Sequence, residues 1–214
     1  MLIAIDGIYS AGKSTLIGEL VGRLQKVLDR PVAISDWNSS GLVGELIPKW
    51  KREGELGPHS LLFAEALDLA HRWESSIRPN LDSGAVIVAD RYVLSGMARS
   101  VIRGVAPSLA QRAFDFVPRE TLTVLVECAA ELTLRRRLAL GKVIGGYHSG
   151  RDYRRSESTE ADFIGYQAEM RELYRSMAAA RGGFLTVNTE ERSPEECVDD
   201  IVSAISSEMP LHTT

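Results

Sequence analysis

The chain has 214 residues, 44% hydrophobic and 25% charged, with a formal net charge of -4 at pH 7. That length suits one α/β domain, and the mild acidity gives no global pull toward nucleic acid or anionic membrane, so neither is expected as a partner. Cys128 and Cys197 stand far apart without a CxxC or Cys/His cluster, so no disulfide framework or zinc site is expected; with no basic leader and no long apolar run, the expected location is cytoplasmic.

Leu2 to Ile5 reads as a buried strand and leads directly into Gly7-Ile-Tyr-Ser-Ala-Gly12-Lys13-Ser14-Thr15, a complete G-x-x-x-x-G-K-[ST] phosphate loop. Glycines let the backbone curl so that N–H groups point inward at a triphosphate seated on a helix N-terminus. Gly7, Tyr9, Ser10, Ala11, Gly12, Lys13, Ser14 and Thr15 are therefore expected to hold ATP, with Lys13 on the β- and γ-phosphates and the Ser14 hydroxyl on Mg²⁺. Leu16, Leu20, Leu24, Val27 and Leu28 follow at helical spacing until Pro31, and Val32 to Ser35 is a second strand. Residues 59–82 predict a long helix with an apolar stripe of Leu62, Phe63, Ala66, Leu67, Ala70 and Trp73, kinked or ended by Pro79. Further strands are expected at Ala85 to Ala89, Thr121 to Glu127 and Phe184 to Val187, with helices over 128–140, 160–181 and 194–207, and a frayed tail from Met209 to Thr214. Strands alternating with helices predict a three-layer α/β fold around a parallel sheet. Between two of the helices, 141–156 is rich in glycine and arginine, the composition of a mobile flap that carries cations.

Val86-Ile-Val-Ala-Asp90-Arg91 is a strand ending in an acid. In a phosphate-loop enzyme such an acid can serve Mg²⁺ beside the loop hydroxyl, although a solvated strand end or a helix N-cap is the competing reading. Asp6 is a third candidate on the metal side, through ordered water, or else a cap for the loop.

The phosphate loop, the helix opening Leu61-Leu-Phe-Ala64, the stretch from Ile77 to Gly84, Asp90-Arg-Tyr-Val-Leu-Ser95 and the late Asp152-Tyr-Arg-Arg155 together resemble the thymidylate kinases over nearly the whole chain. The resemblance implies a P-loop kinase fold with a five-stranded parallel sheet, helices on both faces, a mobile lid at about 141–158, an acceptor-binding helical region at about 36–82, and commonly a homodimer. It implies one kinase domain over 1–214, using ATP and Mg²⁺ to phosphorylate a nucleoside monophosphate, with dTMP or a related or modified pyrimidine deoxynucleotide first among the acceptors. Arg91 is then the expected clamp on the acceptor phosphate, since a guanidinium can hold two oxygens of a group that must approach another anion. Asp36, Trp37, Phe63, Asp68, Arg72 and Ser95 are the further acceptor-side candidates, Phe63 as the ring under the base. Arg135 is expected on the ATP side, since at most one or two of Arg135, Arg136 and Arg137 can face the site, and Arg151 and Arg155 are expected to supply catalytic charge from the lid.

The match breaks where the base is read. One turn on from Phe63 stand Leu67 and Asp68, and Arg72 is more than two turns away. That leaves open a modified or non-thymine nucleotide, with Asp68 or Asn38 accepting from an amino-bearing base. Two other activities stay open: a nucleoside or small-metabolite kinase with Asp36 as general base, and a nucleotide-dependent regulatory ATPase.

Overall fold

The computed structural model describes residues 1–156 and 158–208, so the expected tail at 209–214 lies outside the described residues. Strands β1 (Leu2–Gly7), β2 (Val32–Asp36), β3 (Val86–Asp90), β4 (Leu122–Glu127) and β5 (Phe184–Asn188) form one five-stranded sheet in the order β2-β3-β1-β4-β5. Every adjacent pair is parallel. The helices are α1 (Lys13–Val27), α2 (Leu46–Glu53), α3 (Pro58–Arg72), α4 (Arg78–Asp82), α5 (Val93–Val101), α6 (Pro107–Arg112), α7 (Ala130–Ala139), α8 (Thr159–Arg181) and α9 (Pro194–Glu208).

The near-continuous apolar strands follow from burial on both faces. Ile3 and Ile5 of β1 and Val86 and Val88 of β3 belong to one core cluster, with Leu16, Leu20 and Leu24 of α1, Met170 and Tyr174 of α8 and Ile201 and Ile205 of α9. The alternate residues Leu2, Ala4, Ile87 and Ala89 join Leu62 and Leu69 of α3 and Val93 and Met97 of α5 in a second cluster. Adjacent residues point to opposite faces of a sheet, so β1 and β3 at its centre each serve both layers.

The long helix expected over 59–82 is present but is not ended by Pro79. A π-helical turn, Trp73–Ile77, joins α3 to α4, and Pro79 falls in the first turn of α4. The wider turn shifts the hydrogen-bond register just where the ring would meet a carbonyl and where no N–H is needed, so the chain stays helical through the proline. Helices α2, α5 and α6 were not foreseen. α5 is buried on nearly every side, from Val93 to Ala98, which leaves no amphipathic stripe to read. α2 and α6 are short, and each buries a single residue, Ile47 and Ala110 respectively.

Gly96 sits inside α5 against Phe114, where a Cβ would lie 2.4 Å from the ring Cζ. Alanine gains about 1 kcal/mol in helix propensity, but overpacking a fully buried ring costs about 1–3 kcal/mol. Gly96→Ala is therefore expected to lose about 1 kcal/mol of stability on balance, read as a lower urea midpoint at unchanged slope.

Candidate active site

The carboxyl ends of β1 and β3 deliver the site. Gly7 closes β1 at φ +147°, where a Cβ would stand 2.5 Å from the Val126 carbonyl oxygen, so only glycine lets the chain turn away beside β4. Gly12, at φ +97°, is the left-handed residue that starts α1, and the first residues of that helix, Lys13, Ser14 and Thr15, line a cleft of about 750 Å³. Tyr9, Ser10, Asp90, Arg91, Arg136, Arg137 and Thr189 complete much of its wall. Ala11 is buried behind the loop, where its carbonyl accepts from Thr189 Oγ1 at 2.8 Å. Lys13 is buried and donates to the Ile8 carbonyl at 2.8 Å. Burial, with the Arg91 charge adding to it, pushes the Lys13 ammonium well below its ordinary pKa against the opposing pull of Asp90 and Asp6.

Arg91 follows β3 with a left-handed backbone, φ +73°, unusual for a non-glycine residue. Its Nη1 donates to the Gly7 carbonyl at 2.7 Å, to Ser95 Oγ at 3.1 Å and to the Tyr174 hydroxyl at 3.1 Å. Ser95 in turn donates to Asp6 Oδ1, and Tyr174 and Ser95 hydroxyls lie 2.9 Å apart. Ser95 and Asp6 are thus fully buried supports of Arg91 and do not line the cleft. Burial raises the Asp6 pKa, while Ser95 and Arg91 pull it back. Asp90 does face the cleft, and its Oδ1 is buried without a hydrogen-bond partner among the described residues. An orphaned carboxylate oxygen and the Ser14 hydroxyl, lining one cleft, are fitting hard ligands for Mg²⁺, which ordinarily takes only one or two protein oxygens with phosphates and water.

Of the arginine run on α7, Arg136 and Arg137 line the cleft and Arg135 is exposed away from it, because consecutive helix residues point in different directions. Arg136 is tied to the Thr189 carbonyl at 2.6 Å. Arg137 keeps Nε and Nη1 buried without partners, while its Nη2 donates to the Val143 carbonyl and the guanidinium sits 4.7 Å over the Tyr9 ring. The lid arginines expected to act lie elsewhere. Arg151 is paired with Asp162 at 2.7 Å, and exposed Arg155 donates to the Arg151 carbonyl at 3.3 Å; neither lines the cleft.

On the acceptor side, Phe63 points away from the site. It is 53% exposed and lines a surface groove with Val43, Trp50 and Leu67, since the buried face of α3 runs through Leu61, Leu62, Glu65, Ala66, Asp68, Leu69 and Arg72. Asp68 is committed to protein donors: the Asn38 and Ser40 amides at 3.2 and 2.9 Å and Arg72 Nε at 2.8 Å. Those bonds fix the loop after β2 and leave no free carboxylate there for an amino-bearing base. Arg72 also donates to Ser35 Oγ at 2.7 Å, with Nη2 buried and unpartnered. Trp37 lies between the guanidiniums of Arg72 and Arg99, 5.3 and 5.6 Å from its ring, and Asp36 is exposed at the end of β2.

Sequence reasoning missed Glu65. This fully buried carboxylate accepts from Lys51 at 2.6 Å, Arg99 at 3.2 Å and Trp37 Nε1 at 3.4 Å. Burial would raise its pKa, but Lys51 and Arg99 outweigh that and hold it below the usual carboxylate range; burial lowers Lys51 to about 8. A charged residue on the same helical face as Leu62 and Leu69 was the available signal. The flap, 141–156, folds over this region through a single turn of 3₁₀ helix, Gly146–His148. His148 stacks on Tyr9 at 3.9 Å, and Gln167 joins the two segments by accepting from the Tyr9 amide at 2.9 Å and donating to the His148 carbonyl at 2.7 Å.

The family model for thymidylate kinase matches residues 5–201. A probable thymidylate kinase 2 of Saccharolobus solfataricus is 29% identical over 188 residues, covering 88% of this chain and 87% of the relative. A probable thymidylate kinase of Pyrobaculum aerophilum is 29% identical over 95% of both chains, and a thymidylate kinase of Nitratidesulfovibrio vulgaris is 28% identical over 97% of this chain and 92% of its own length.

His148 supplies a pH dependence. Burial, then the charges of Arg99 and Arg137, push its pKa well down, so the docked flap favours the neutral ring. A depressed folded pKa contributes stability that is present above the ordinary value, about 6.5, and is lost as pH falls below it. Hydrogen exchange at residues 145–150 is expected to quicken between pH 7.5 and 5.5 relative to the sheet, and His148→Phe should abolish that extra pH dependence.

Proposed function

This chain belongs to the thymidylate kinase family and is an ATP-dependent nucleotide kinase, and we propose that it moves the γ-phosphoryl group of ATP onto the phosphate of dTMP through the residues described above. The observation that carries the residue assignment is Arg91. Its Nη1 is fully occupied by the protein, which leaves Nε and Nη2 for a phosphate, and the side chain borders both the large cleft and the smaller cavity beneath the flap. A guanidinium held at that boundary can draw an acceptor phosphate toward a donor despite their repulsion.

In this reading the loop amides from Gly7 to Thr15 and the start of α1 hold the ATP phosphates, with Lys13 neutralising them. Ser14 and Asp90 are the residues we assign to Mg²⁺, which when bound would draw charge off the β- and γ-phosphates. Arg137, with its unpartnered N–H groups at the cleft wall, is our candidate for the charge that builds on the transferring group. Arg151 and Arg155 become candidates only if the lid rearranges with ATP. Trp37 and Arg72 wall the acceptor side. Asp36 is not needed as a base, because the attacking phosphate oxygen is already ionised, and neither a nucleoside kinase nor a regulatory ATPase is favoured.

We treat 1–214 as one kinase domain acting in the cytoplasm, with 36–82 as its acceptor side and 141–158 as its lid; no helix among the described residues is long and apolar enough to cross a membrane. We assign the exposed apolar face of α2 and α3, including Leu46, Phe63 and Leu67, to a homodimer contact.

With dTMP and ATP, Arg91→Lys is expected to lower kcat/KM for dTMP by about 100-fold or more with little change in ATP affinity, and Arg137→Ala to lower kcat by about 100-fold. A fall of less than threefold in a coupled assay would remove either residue from the reaction. Phe63→Glu should shift the sedimenting species from dimer to monomer at micromolar concentration; an unchanged mass would place the interface elsewhere.

A further inference from the structure

The space under the flap is filled by the protein itself. Between Arg91, Arg99, Tyr147, Tyr166, Met170 and Tyr174 a cavity of only about 20 Å³ remains, room for a water, whereas small-molecule sites ordinarily enclose about 300 Å³ or more. The planar group lying there is Tyr147. Its ring rests under the Arg103 guanidinium at 3.9 Å and the Lys51 ammonium at 4.7 Å, and its hydroxyl is buried without a partner. The same Lys51 pairs with Glu65, whose Oε1 already takes Lys51, Arg99 and Trp37 while Oε2 is buried with no donor. Two unpartnered buried oxygens in one cationic enclosure are costly, and a ligand bringing an N–H would relieve the carboxylate.

Arg91, Ser95, Arg99 and Arg103 recur every fourth residue along and just beyond α5. Arg99 stands one helical turn, about 6 Å, beyond Ser95, the residue that holds Arg91, so an acceptor whose phosphate sits on Arg91 extends along α5 toward Arg99 and Glu65.

We propose that the base of the acceptor takes the place of the Tyr147 ring and that Glu65, flanked by Lys51 and Arg99, reads its edge, with Oε2 accepting the imide N–H of a pyrimidine. Oε1 is taken by Lys51, Arg99 and Trp37, so the imide N–H of thymine or uracil supplies the donor that Oε2 lacks. Cytosine presents a ring lone pair where Glu65 presents another, so the carboxylate selects against it. The inference rests on the kinase reading above and deepens it by naming the residue that chooses the base.

The test compares dTMP, dUMP, dCMP and N3-methyl-dTMP with ATP, in the wild-type protein and in Glu65→Gln. Wild type should use dTMP and dUMP and should discriminate against N3-methyl-dTMP by about 100-fold or more in kcat/KM, because the methyl group removes the donor and meets the carboxylate. In Glu65→Gln, with ATP affinity retained, that ratio should shrink by about tenfold or more. Wild-type discrimination needs no variant, so a misfolded Glu65→Gln does not protect the idea. Equal use of dTMP and N3-methyl-dTMP, or a ratio unchanged in a folded Glu65→Gln, overturns the role of Glu65 and leaves the kinase intact. Transfer to no nucleotide at all overturns both.

Discussion

One guanidinium holds the two halves of the site in register. Arg91 Nη1 draws together the end of β1, through the Gly7 carbonyl, the start of α5, through Ser95, and α8, through Tyr174. Its left-handed backbone carries a cost of about 1–3 kcal/mol, and hydrogen bonds from a charged donor contribute about 1.5–3 kcal/mol each, so the strained geometry is affordable only while the network is complete. Asp6 explains why the network persists in a buried setting. It stands behind Ser95 as a counter-charge for Arg91 and Lys13, and those neighbours offset its desolvation in part, leaving its pKa raised. We therefore read it as a support of the clamp and not as a group that reaches the nucleotide.

The flap is attached by a different kind of interaction. Arg103 donates to both oxygens of Asp152 at 2.6 and 3.1 Å, to the Tyr147 carbonyl at 3.0 Å and to the Tyr166 hydroxyl at 3.0 Å, while Gln167 links the flap to the phosphate loop. These are polar contacts, and the flap's own Val143 is exposed. Segments held by hydrogen bonds with little apolar burial open at a lower free energy than the core, since water replaces the lost partners. In the reading proposed above, the same fold combines a donor loop held between β1 and α1 with an acceptor cover whose release need not disturb either core cluster.

What could be read in advance follows the range of the forces involved. The phosphate loop and Asp90-Arg91 are local patterns fixed by a strand end and a turn, and both reappear with the expected neighbours. The arginine run could be narrowed only to one or two members, and choosing Arg137 required the angle of α7 to the cleft. Glu65 was hidden by an assumption about polarity. Taking Phe63 and Leu67 as the inward stripe of α3 gave an all-apolar face, whereas the buried face includes Glu65, neutralised by Lys51 and Arg99 from outside the helix, and Asp68 and Arg72, which pair with each other. Nothing within α3 announces the partners of Glu65. Tyr147 and His148 were beyond reach for a related reason, because the course of a glycine-rich loop is decided by what it docks on.

The charge pattern shows why the overall balance of -4 misleads about the site. Lys13, Lys51, Arg72, Arg91, Arg99, Arg103 and Arg137 gather around the carboxyl end of the sheet, and most carboxylates nearby are already engaged, Asp6 with Ser95, Glu65 with Lys51 and Arg99, Asp68 with Arg72, and Asp152 with Arg103, while Asp90 keeps Oδ1 without a partner among the described residues. Clefts lined by one sign of charge with apolar walls focus their field on an incoming anion. The cost falls on Lys13, whose ammonium is disfavoured by burial and by Arg91. A polyphosphate supplies the missing counter-charge, so its binding and the protonation of Lys13 favour each other by linkage. A nucleotide present at a hundred times its dissociation constant would add about 2.7 kcal/mol to the folded state. In the reading proposed above, a bound nucleotide therefore stabilises the folded chain by supplying counter-charge to the cations assigned to it.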